Sequence, residues 1–196
     1  MGKNYLNCIK NSEKVTWKIS EVLPDDYQFK FVKNFLPKSL TLEHKLPFLT
    51  DAERMDLNHI RSASYINLFG FVEEYITEFM LRSASEGTFS EKDRLRALLR
   101  FAEEEVKHQS LFIKYTEMFN RDFKINCQFL SGADEVANVI LSNSKLSVLL
   151  LTYHLEIITQ QHYLESIRED TSLDENYSNI LEKHWQEEAQ HAKLDL

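Results

Sequence analysis

Apolar residues recur at helical spacing along most of the chain, and few turn-forming residues interrupt them. From residue 51 onward, apolar positions repeat every three or four residues, a pattern typical of amphipathic α-helices. The chain of 196 residues contains only 4 Gly and 3 Pro, which favours a few long helices over many short strands. The pattern predicts four long helices over 51–85, 90–119, 145–168 and 174–196, and a short helix over Ala133–Leu141.

Polar residues at helix starts mark three of these boundaries. Thr50 followed by Glu53 forms a capping box before the first long helix. The segment 90–93 (Ser-Glu-Lys-Asp) predicts the N-cap of the second, and Ser144 predicts the N-cap of the third. A turn at Glu86–Gly87 separates the first two long helices, residues 120–131 form a connection, and a polar turn at 170–175 precedes the last helix.

The first 50 residues differ from the rest, because all three prolines, Pro24, Pro37 and Pro47, fall there. Prolines are excluded from helix interiors, so no long helix is expected in this lead-in segment. Alternating apolar residues at 15–19 predict a short strand or an extended arm, and residues 25–35 predict one short helix. The predicted organisation is therefore a lead-in over 1–50 and a helical bundle domain over 51–196.

Composition and charge exclude several classes of partner. The formal net charge is −8 and no Lys/Arg-rich run occurs, so neither nucleic acid nor an anionic membrane is an expected partner. The longest aliphatic run, 148–151, is far too short to span a bilayer. Cys8 and Cys127 have no metal-binding or redox spacing, so a reduced cytoplasmic protein is expected.

Candidate chemistry is concentrated near the C-terminus. His184, Glu188 and His191 stand at i, i+4 and i+7, which places all three on one stripe of the last helix. Such a stripe makes a poor apolar core and a good set of metal ligands. A second Glu-x-x-His unit, Glu105 and His108, lies on the second long helix. Two such units in one helical chain predict a two-metal carboxylate site inside a helix bundle.

Sites of this kind also take one Glu from each of the other two helices. Glu156 is the candidate on the third long helix, since it is the only acidic residue between Lys145 and Gln161 and lies in an apolar stretch. A free carboxylate there would be costly to bury. The first long helix offers two candidates. Glu73 lies on the more apolar stripe, whereas the sequence around Glu74 resembles that around Glu156, so both are retained.

Four carboxylates would offset the charge of two cations in a bundle core. Oxygen ligands mixed with imidazole suit iron or manganese better than thiolate-preferring metals. A single Glu-x-x-His on a helix is usually surface decoration, but two copies with a buried-looking Glu between them favour a metal site. A metal-free helical interaction module is the alternative, with the Glu and His groups solvated or paired with one another.

The order Glu, Glu-x-x-His, Glu, His-x-x-x-Glu-x-x-His resembles that of the p-aminobenzoate N-oxygenase-like di-iron proteins of the ferritin-like superfamily. Ferritins and rubrerythrins share the pattern, but the additional His four residues before the last Glu is typical of the N-oxygenase group; here it is His184. The resemblance covers about residues 55–196. The ligands it implies are Glu73 or Glu74, Glu105, His108, Glu156, His184, Glu188 and His191.

The resemblance implies an all-α, ferritin-like four-helix bundle that binds two iron ions, with manganese or a mixed Mn/Fe pair as alternatives. It also implies an enzyme that activates dioxygen and oxidises a small organic substrate, such as an amine at nitrogen. The substrate is left open, because the characterised arylamine oxygenases continue with further helices that help to close the site. The electron donor is also left open, and a homodimer is one expected state of assembly. The alternative function is ferritin-like iron binding or ferroxidase activity without an organic substrate.

Overall fold

The computed structural model of the protein describes residues 2–86, 91–128 and 132–194. Within these ranges the regular structure is helical and no strand occurs, which confirms the predicted all-α class. The helices are α1 (Gly2–Val15), α2 (Ile19–Val22), α3 (Lys38–Thr41), α4 (Asp51–Ser85), α5 (Lys92–Asp122), α6 (Ala133–Leu141), α7 (Lys145–His162) and α8 (Glu175–Leu194). A 3₁₀ turn at Glu43–Lys45 follows α3, and a π-helical turn at Tyr163–Ile167 continues α7.

The four long helices and the short helix α6 occur where the sequence predicts them. The capping box before α4 is confirmed: the Thr50 backbone N–H donates to Glu53 Oε2 (2.8 Å), and the Thr50 hydroxyl accepts from the Glu53 N–H (3.3 Å). The hydroxyl of Ser144 caps α7 by accepting from the Ser147 N–H (3.2 Å).

Some boundaries differ from the prediction or cannot be compared with it. α5 ends at Asp122, three residues beyond the predicted end at 119. The predicted cap at Ser90, the glycine of the predicted turn at Gly87 and the last two residues of the chain lie outside the described residues.

Residues 2–15 form a helix that the sequence analysis did not predict. The expectation that the first 50 residues lack a long helix is wrong for this stretch, because the prolines begin only at Pro24. Cys8, Ile9 and Ser12 occupy one buried side of α1 at helical spacing. This side packs against α5 and α8. The domain boundary at residue 50 stays a prediction, although α1, which lies before it, packs against α5 and α8, which lie after it.

Two further predictions for the lead-in segment can be compared with the structure. For 15–19, the alternative of a strand is wrong, and the alternative of an extended arm holds only for the short link 16–18 between α1 and α2. The segment 25–35 forms turns instead of a short helix. Its aromatic residues pack against the core from this irregular backbone: the ring of Phe29 lies 5.1 Å from that of Tyr115, and the ring of Phe31 lies 4.8 Å from that of Phe123.

The hydrophobic core consists of two clusters of apolar residues, and a layer of buried Glu and His side chains separates them. The first includes the buried residues Phe35, Ile66, Phe112, Tyr115, Phe119 and Tyr177. The second includes the buried residues Tyr75, Ile76, Phe79, Met80, Phe101 and Ala102. Along α4 the change from one cluster to the other occurs at Glu73, and along α5 it occurs at Glu105 and His108. Polar residues therefore interrupt the core at the same level of both helices.

The packing of the helices brings these polar positions towards one another. α4 and α5 pack along their length, and α6 lies against α4. α8 contacts α1, α5 and α7.

Among the described helices, none combines the length and the apolar character needed to cross a membrane.

Candidate metal centre

Seven of the eight predicted ligand residues meet in the interior. The side chains of these seven are at most 5% exposed. They form two groups, and each group could hold a metal ion. The first group contains Glu73, His108, His184 and Glu188, and the second contains Glu105, Glu156, Glu188 and His191. Within each group the ligand atoms lie within 4.8 Å of one another. A cation with ligands at about 2.1 Å in octahedral geometry holds them roughly 3 to 4.2 Å apart, so both groups have the required size.

Glu74 is the predicted residue that does not join either group. Its side chain is exposed and lines a surface groove between α4 and α5, whereas Glu73 is buried in the first group. Neighbouring residues of a helix point about 100° apart, so only one of the two can face the interior. The apolar stripe shared by Glu73 and Ile76, and not the similarity of the local sequence around Glu74, is the signal that matches the structure.

If a cation binds to the first group, replacing Glu73 by Ala is expected to lower its affinity by at least about 10–100-fold, because loss of even an outer partner of a ligand costs about that much. The matched Glu74→Ala variant is expected to bind metal as the wild type does. Metal content after equilibrium dialysis would measure both. Equal losses in the two variants would contradict the assignment of Glu73.

In the first group, His184 of α8 approaches both carboxylates. Its Nε2 atom lies 2.9 Å from Glu73 Oε1 and 3.3 Å from Glu188 Oε1. His108 of α5 approaches the same place from the other side, with Nδ1 at 3.2 Å from Glu188 Oε1 and 3.9 Å from Glu73 Oε1. Three helices thus contribute two imidazoles and two carboxylates to one point.

In the second group, His191 is the central nitrogen donor. Its Nδ1 atom lies 2.9 Å from Glu105 Oε1, 3.4 Å from Glu188 Oε1 and 3.9 Å from Glu156 Oε1. Glu156 is the contribution of α7, where it is 2% exposed. This group contains three carboxylates and one imidazole, so it is richer in oxygen donors than the first.

Glu188 connects the two groups. Its Oε1 atom lies 3.2–3.4 Å from one ring nitrogen of each of the three histidines, His108, His184 and His191. The Glu188 carboxylate therefore belongs to both groups. The distances describe two adjoining groups of buried side chains that share one residue, and each group could hold a metal ion.

His184 Nε2 forms a hydrogen bond with Glu73 Oε1, but many of the other candidate ligand atoms form no hydrogen bond of good geometry within the described protein, although oppositely charged groups lie close to them. Buried atoms without a hydrogen bond include Glu73 Oε2, Glu188 Oε1, His108 Nδ1 and His191 Nδ1, and also both carboxylate oxygens of Glu105 and of Glu156. Unsatisfied buried polar atoms are rare and costly in folded proteins. Here they cluster and point into two groups of ligand geometry, which is the arrangement that bound cations would satisfy.

A buried carboxylate contacts the ring nitrogen of His108 that points away from the first group. Its Nε2 atom lies 2.9 Å from Glu187 Oε2, while Lys107 Nζ donates to Glu187 Oε1 at 2.6 Å. The ammonium of Lys107 also lies 4.3 Å from the ring centroid of Trp17. Holding a proton on Nε2 leaves the Nδ1 lone pair of His108 directed at the metal position, as the outer partners of metal-bound histidines commonly do.

His191 has a matching support that involves α1. Its Nε2 atom lies 2.9 Å from Glu104 Oε2, which also accepts from Gln190 Nε2 at 3.0 Å. The other oxygen of Glu104 accepts from the hydroxyl of Ser12 on α1, and Arg100 Nε in turn contacts that hydroxyl at 2.6 Å. The N-terminal helix thus holds one of the ligand-supporting carboxylates in place.

Sequence reasoning missed these supporting residues. Lys107 and Gln190 appear solvent-facing from their polarity, but Gln190 is buried and Lys107 is half-buried. A signal was present in the chain, since each ligand Glu of the two Glu-x-x-His units directly follows another Glu. Those preceding residues, Glu104 and Glu187, are the ones that contact the imidazole of the opposite unit.

Aromatic rings enclose the imidazoles and limit the access of water. The ring of Phe101 stacks on that of His191 with centroids 3.7 Å apart. The rings of Phe69 and Phe112 lie 4.8 Å and 5.2 Å from that of His184. Electrostatic interactions are strengthened in such surroundings because the effective dielectric constant is low.

Burial and mutual contacts shift the ionisation of the metal-free centre. Burial raises the pKa of Glu73 and of Glu156 well above the ordinary value. For Glu188 burial acts in the same direction, but His191 and His184 outweigh it and hold its pKa well below the ordinary value. The pKa of His184 is raised to about 9, since its carboxylate neighbours outweigh the opposing effect of burial. Without metal, protons therefore supply the positive charge of the centre.

Comparison of the chain with models of protein families, with curated proteins and with solved structures finds no match. The residues and their geometry are therefore the basis for a functional conclusion.

Proposed function

We propose that the protein is a non-haem di-iron oxygenase-like enzyme that uses dioxygen to oxidise a small organic substrate. The observation that carries the proposal is Glu188, one buried carboxylate shared by two groups of ligand geometry. Manganese or a mixed Mn/Fe pair would suit the same ligands, because oxygen donors with imidazole favour these metals.

The arrangement of the ligands supports a ferritin-like four-helix bundle built from α4, α5, α7 and α8. α4 and α7 each contribute one inward Glu, Glu73 and Glu156. α5 and α8 each contribute a Glu-x-x-His unit. This distribution over four helices is the one used by carboxylate-bridged di-metal proteins of that fold.

His184 favours an oxygenase over an iron-storage protein. It gives the first group two imidazoles and two carboxylates, whereas the second group has one imidazole and three carboxylates. The two metal positions would therefore differ in charge and in ligand type. A third imidazole in this position is also the feature that the chain shares with the N-oxygenase group, which favours an amine nitrogen as the oxidised atom.

An iron pair bound here would supply reductive activation of dioxygen, and the protein's own groups would set the conditions. Glu188, as a member of both groups, would offset part of the charge of the bound cations. Glu187 and Glu104 keep a proton on Nε2 of His108 and His191 and thereby orient both rings. The aromatic rings around the imidazoles limit the access of bulk water, which protects a reactive centre from side reactions.

The His184→Ala variant is expected to keep the fold and to lose much of the affinity of the first metal position, because one of its two nitrogen donors is removed. A His162→Ala variant is the matched control, since His162 contacts Tyr65 (3.2 Å) instead of a ligand. Titration with ferrous iron under anaerobic conditions would measure both variants. Unchanged metal content and oxygen reactivity in His184→Ala would show that His184 is not a ligand.

The proposed function is tested by loading the protein anaerobically with ferrous iron and then adding oxygen. The proposal expects two iron ions per chain, a raised melting temperature and oxygen consumption coupled to oxidation of a small amine. Continued consumption of added iron with growth of a ferric mineral would instead support ferritin-like iron handling. A protein that binds neither iron nor manganese and gains no thermal stability from either would refute a metal centre altogether.

A further inference from the structure

Glu43 is a buried carboxylate that neither the metal centre nor a helix cap accounts for. It lies in the 3₁₀ turn after α3 and is 2% exposed. The other buried carboxylates among the described residues belong to the metal centre or contact its histidines, except Asp174, which caps α8. Burying a charged carboxylate is costly unless hydrogen bonds or a cation compensate it. Glu43 therefore needs a compensating partner.

The described part of the chain supplies Glu43 with one hydrogen bond and no ion pair. Its Oε2 atom accepts from the hydroxyl of Thr41, whose single proton also lies near the carbonyl oxygen of Pro37, with Oγ1 at 3.2 Å from it. The Oε1 atom of Glu43 has no partner among the described residues. Because an ionised carboxylate offers about four acceptor positions, most of the hydrogen-bonding capacity of Glu43 is unused.

Glu43 lines an open cavity of about 390 Å³ between the segment 34–47 and the first residues of α4. Asn34 and His44 add polar groups to its lining, and Pro47 and Met55 add apolar surface. Cavities that bind small molecules commonly have volumes of about 300–1,000 Å³ and combine apolar walls with a few polar groups. The size and the lining of this cavity therefore suit a small organic ligand.

Two basic residues line the same cavity and have N–H groups without an acceptor. Lys38 forms no ion pair or side-chain hydrogen bond with a described residue. Arg54 donates from Nη1 to Asp51 (2.9 Å) and from Nη2 to the carbonyl oxygen of Leu46 (3.3 Å), but its buried Nε has no acceptor. The cavity thus combines the uncompensated carboxylate of Glu43 with unused donors of both basic side chains.

We propose that this cavity binds a small zwitterion of the α-amino acid class. The ammonium group of the ligand donates to Glu43, and its carboxylate accepts from Lys38 and from the Nε–H of Arg54. Pro47 and Met55 provide apolar contacts for the side chain of the ligand. A simple anion would leave the Glu43 carboxylate uncompensated, and a simple cation would leave the two basic groups without an acceptor. A ligand that carries both charges satisfies all three residues.

The cavity is remote from the metal centre. Arg54 lines the cavity and Glu73 belongs to the first group of ligands, and from residue 54 to residue 73 a helix extends about 28 Å. The inference therefore does not depend on the proposed function and can be tested on the metal-free protein. Because an amino acid has few atoms, its dissociation constant is expected to be on the order of 0.1–1 mM.

Ligand-observed NMR of the metal-free protein with the common L-amino acids, added one at a time at about 1 mM, tests the proposal. At least one of them is expected to bind in the stated range. Its methyl ester, which lacks the carboxylate, and its N-acetyl derivative, which lacks the ammonium group, are each expected to bind about tenfold more weakly or worse. If no amino acid binds, or if both derivatives bind as well as the parent, the proposal is overturned.

Two substitutions locate the ligand in the cavity. Glu43→Gln keeps an acceptor for the Thr41 hydroxyl but removes the charge, and Lys38→Gln changes an exposed side chain that the fold does not need. Each is expected to weaken amino acid binding about tenfold. Lys45→Gln is the matched control, because it removes the same charge from an exposed residue outside the lining, and it is expected to bind as the wild type does. Binding of wild-type strength in both cavity variants would reject this site.

Discussion

Replacing Glu188 by Ala is expected to abolish metal binding at both positions of the centre. Each of the other six ligand residues belongs to one group, whereas the Glu188 carboxylate belongs to both. Its Oε1 atom approaches a ring nitrogen of all three ligand histidines. Its removal also leaves two cations without the shared negative charge that would lie between them. We therefore expect the largest loss of metal from this single substitution.

Thermal unfolding in the presence and absence of ferrous iron or manganese would measure this effect. Two sites saturated at about 100 times their dissociation constants stabilise a protein of this size by roughly 10–20 °C, and Glu188→Ala is expected to remove the whole shift. Glu156→Ala is the graded comparison, because Glu156 belongs only to the second group and its loss should leave the first position occupied. A Glu188→Ala variant that still binds one metal ion tightly would show that the two positions are independent.

The grouping of the candidate ligands on α5 and α8 could be predicted because helical periodicity alone relates them. In His184, Glu188 and His191 the spacing itself places three donors on one stripe, whatever the helix packs against. Glu156 was predictable for a different reason: a lone acidic residue in an apolar helix must be neutralised or paired when it is buried. Both arguments use only local structure and the cost of burial.

The choice between Glu73 and Glu74 could not be made from sequence, because it depends on the rotation of α4 about its axis. Both residues share a stripe with apolar neighbours, and a rotation of about 100° exchanges them. Packing against α5 sets that rotation. The structure buries Glu73 and leaves Glu74 in the surface groove.

The supporting residues were missed because their burial depends on a segment whose structure was predicted incorrectly. The side chain of Glu104 lies on one flank of α5, where it is 3% exposed. α1 covers that flank and places Ser12 against the Glu104 carboxylate. The three prolines of the first 50 residues led to an expectation of irregular structure, although none of them lies before Pro24. Because α1 was not predicted, the burial of Glu104 beside His191 was not predicted either.

The stabilisation of the protein by metal is expected to increase as the pH rises from 6.5 to 9. Burial opposes the charged form of His108 and His184, but their carboxylate neighbours outweigh it and raise the pKa of each to about 9. In the metal-free protein these raised pKa values contribute stability that is fully present below about pH 6.5, the unfolded value. That contribution is lost as the pH rises through 9.

The raised pKa values of the carboxyl groups of Glu73 and Glu156, which burial causes, act in the same direction. A metal ion needs the neutral imidazole and the ionised carboxylate, so binding must release protons at neutral pH. For each proton released, the apparent affinity rises about tenfold per pH unit until the pH exceeds the pKa of the group. Metal therefore gains affinity over the same range in which the metal-free protein loses stability.

Calorimetric titration with manganese at pH 7, in two buffers of different ionisation enthalpy, counts the released protons directly. We expect at least two per chain for the wild type, because both His108 and His184 are protonated at that pH. The His184→Ala variant should release about one fewer, and Glu74→Ala should match the wild type since its carboxylate lies outside both groups. Binding without proton release, together with a metal-induced melting shift that is constant from pH 6.5 to 9, would contradict a centre in which metal replaces protons on buried imidazoles.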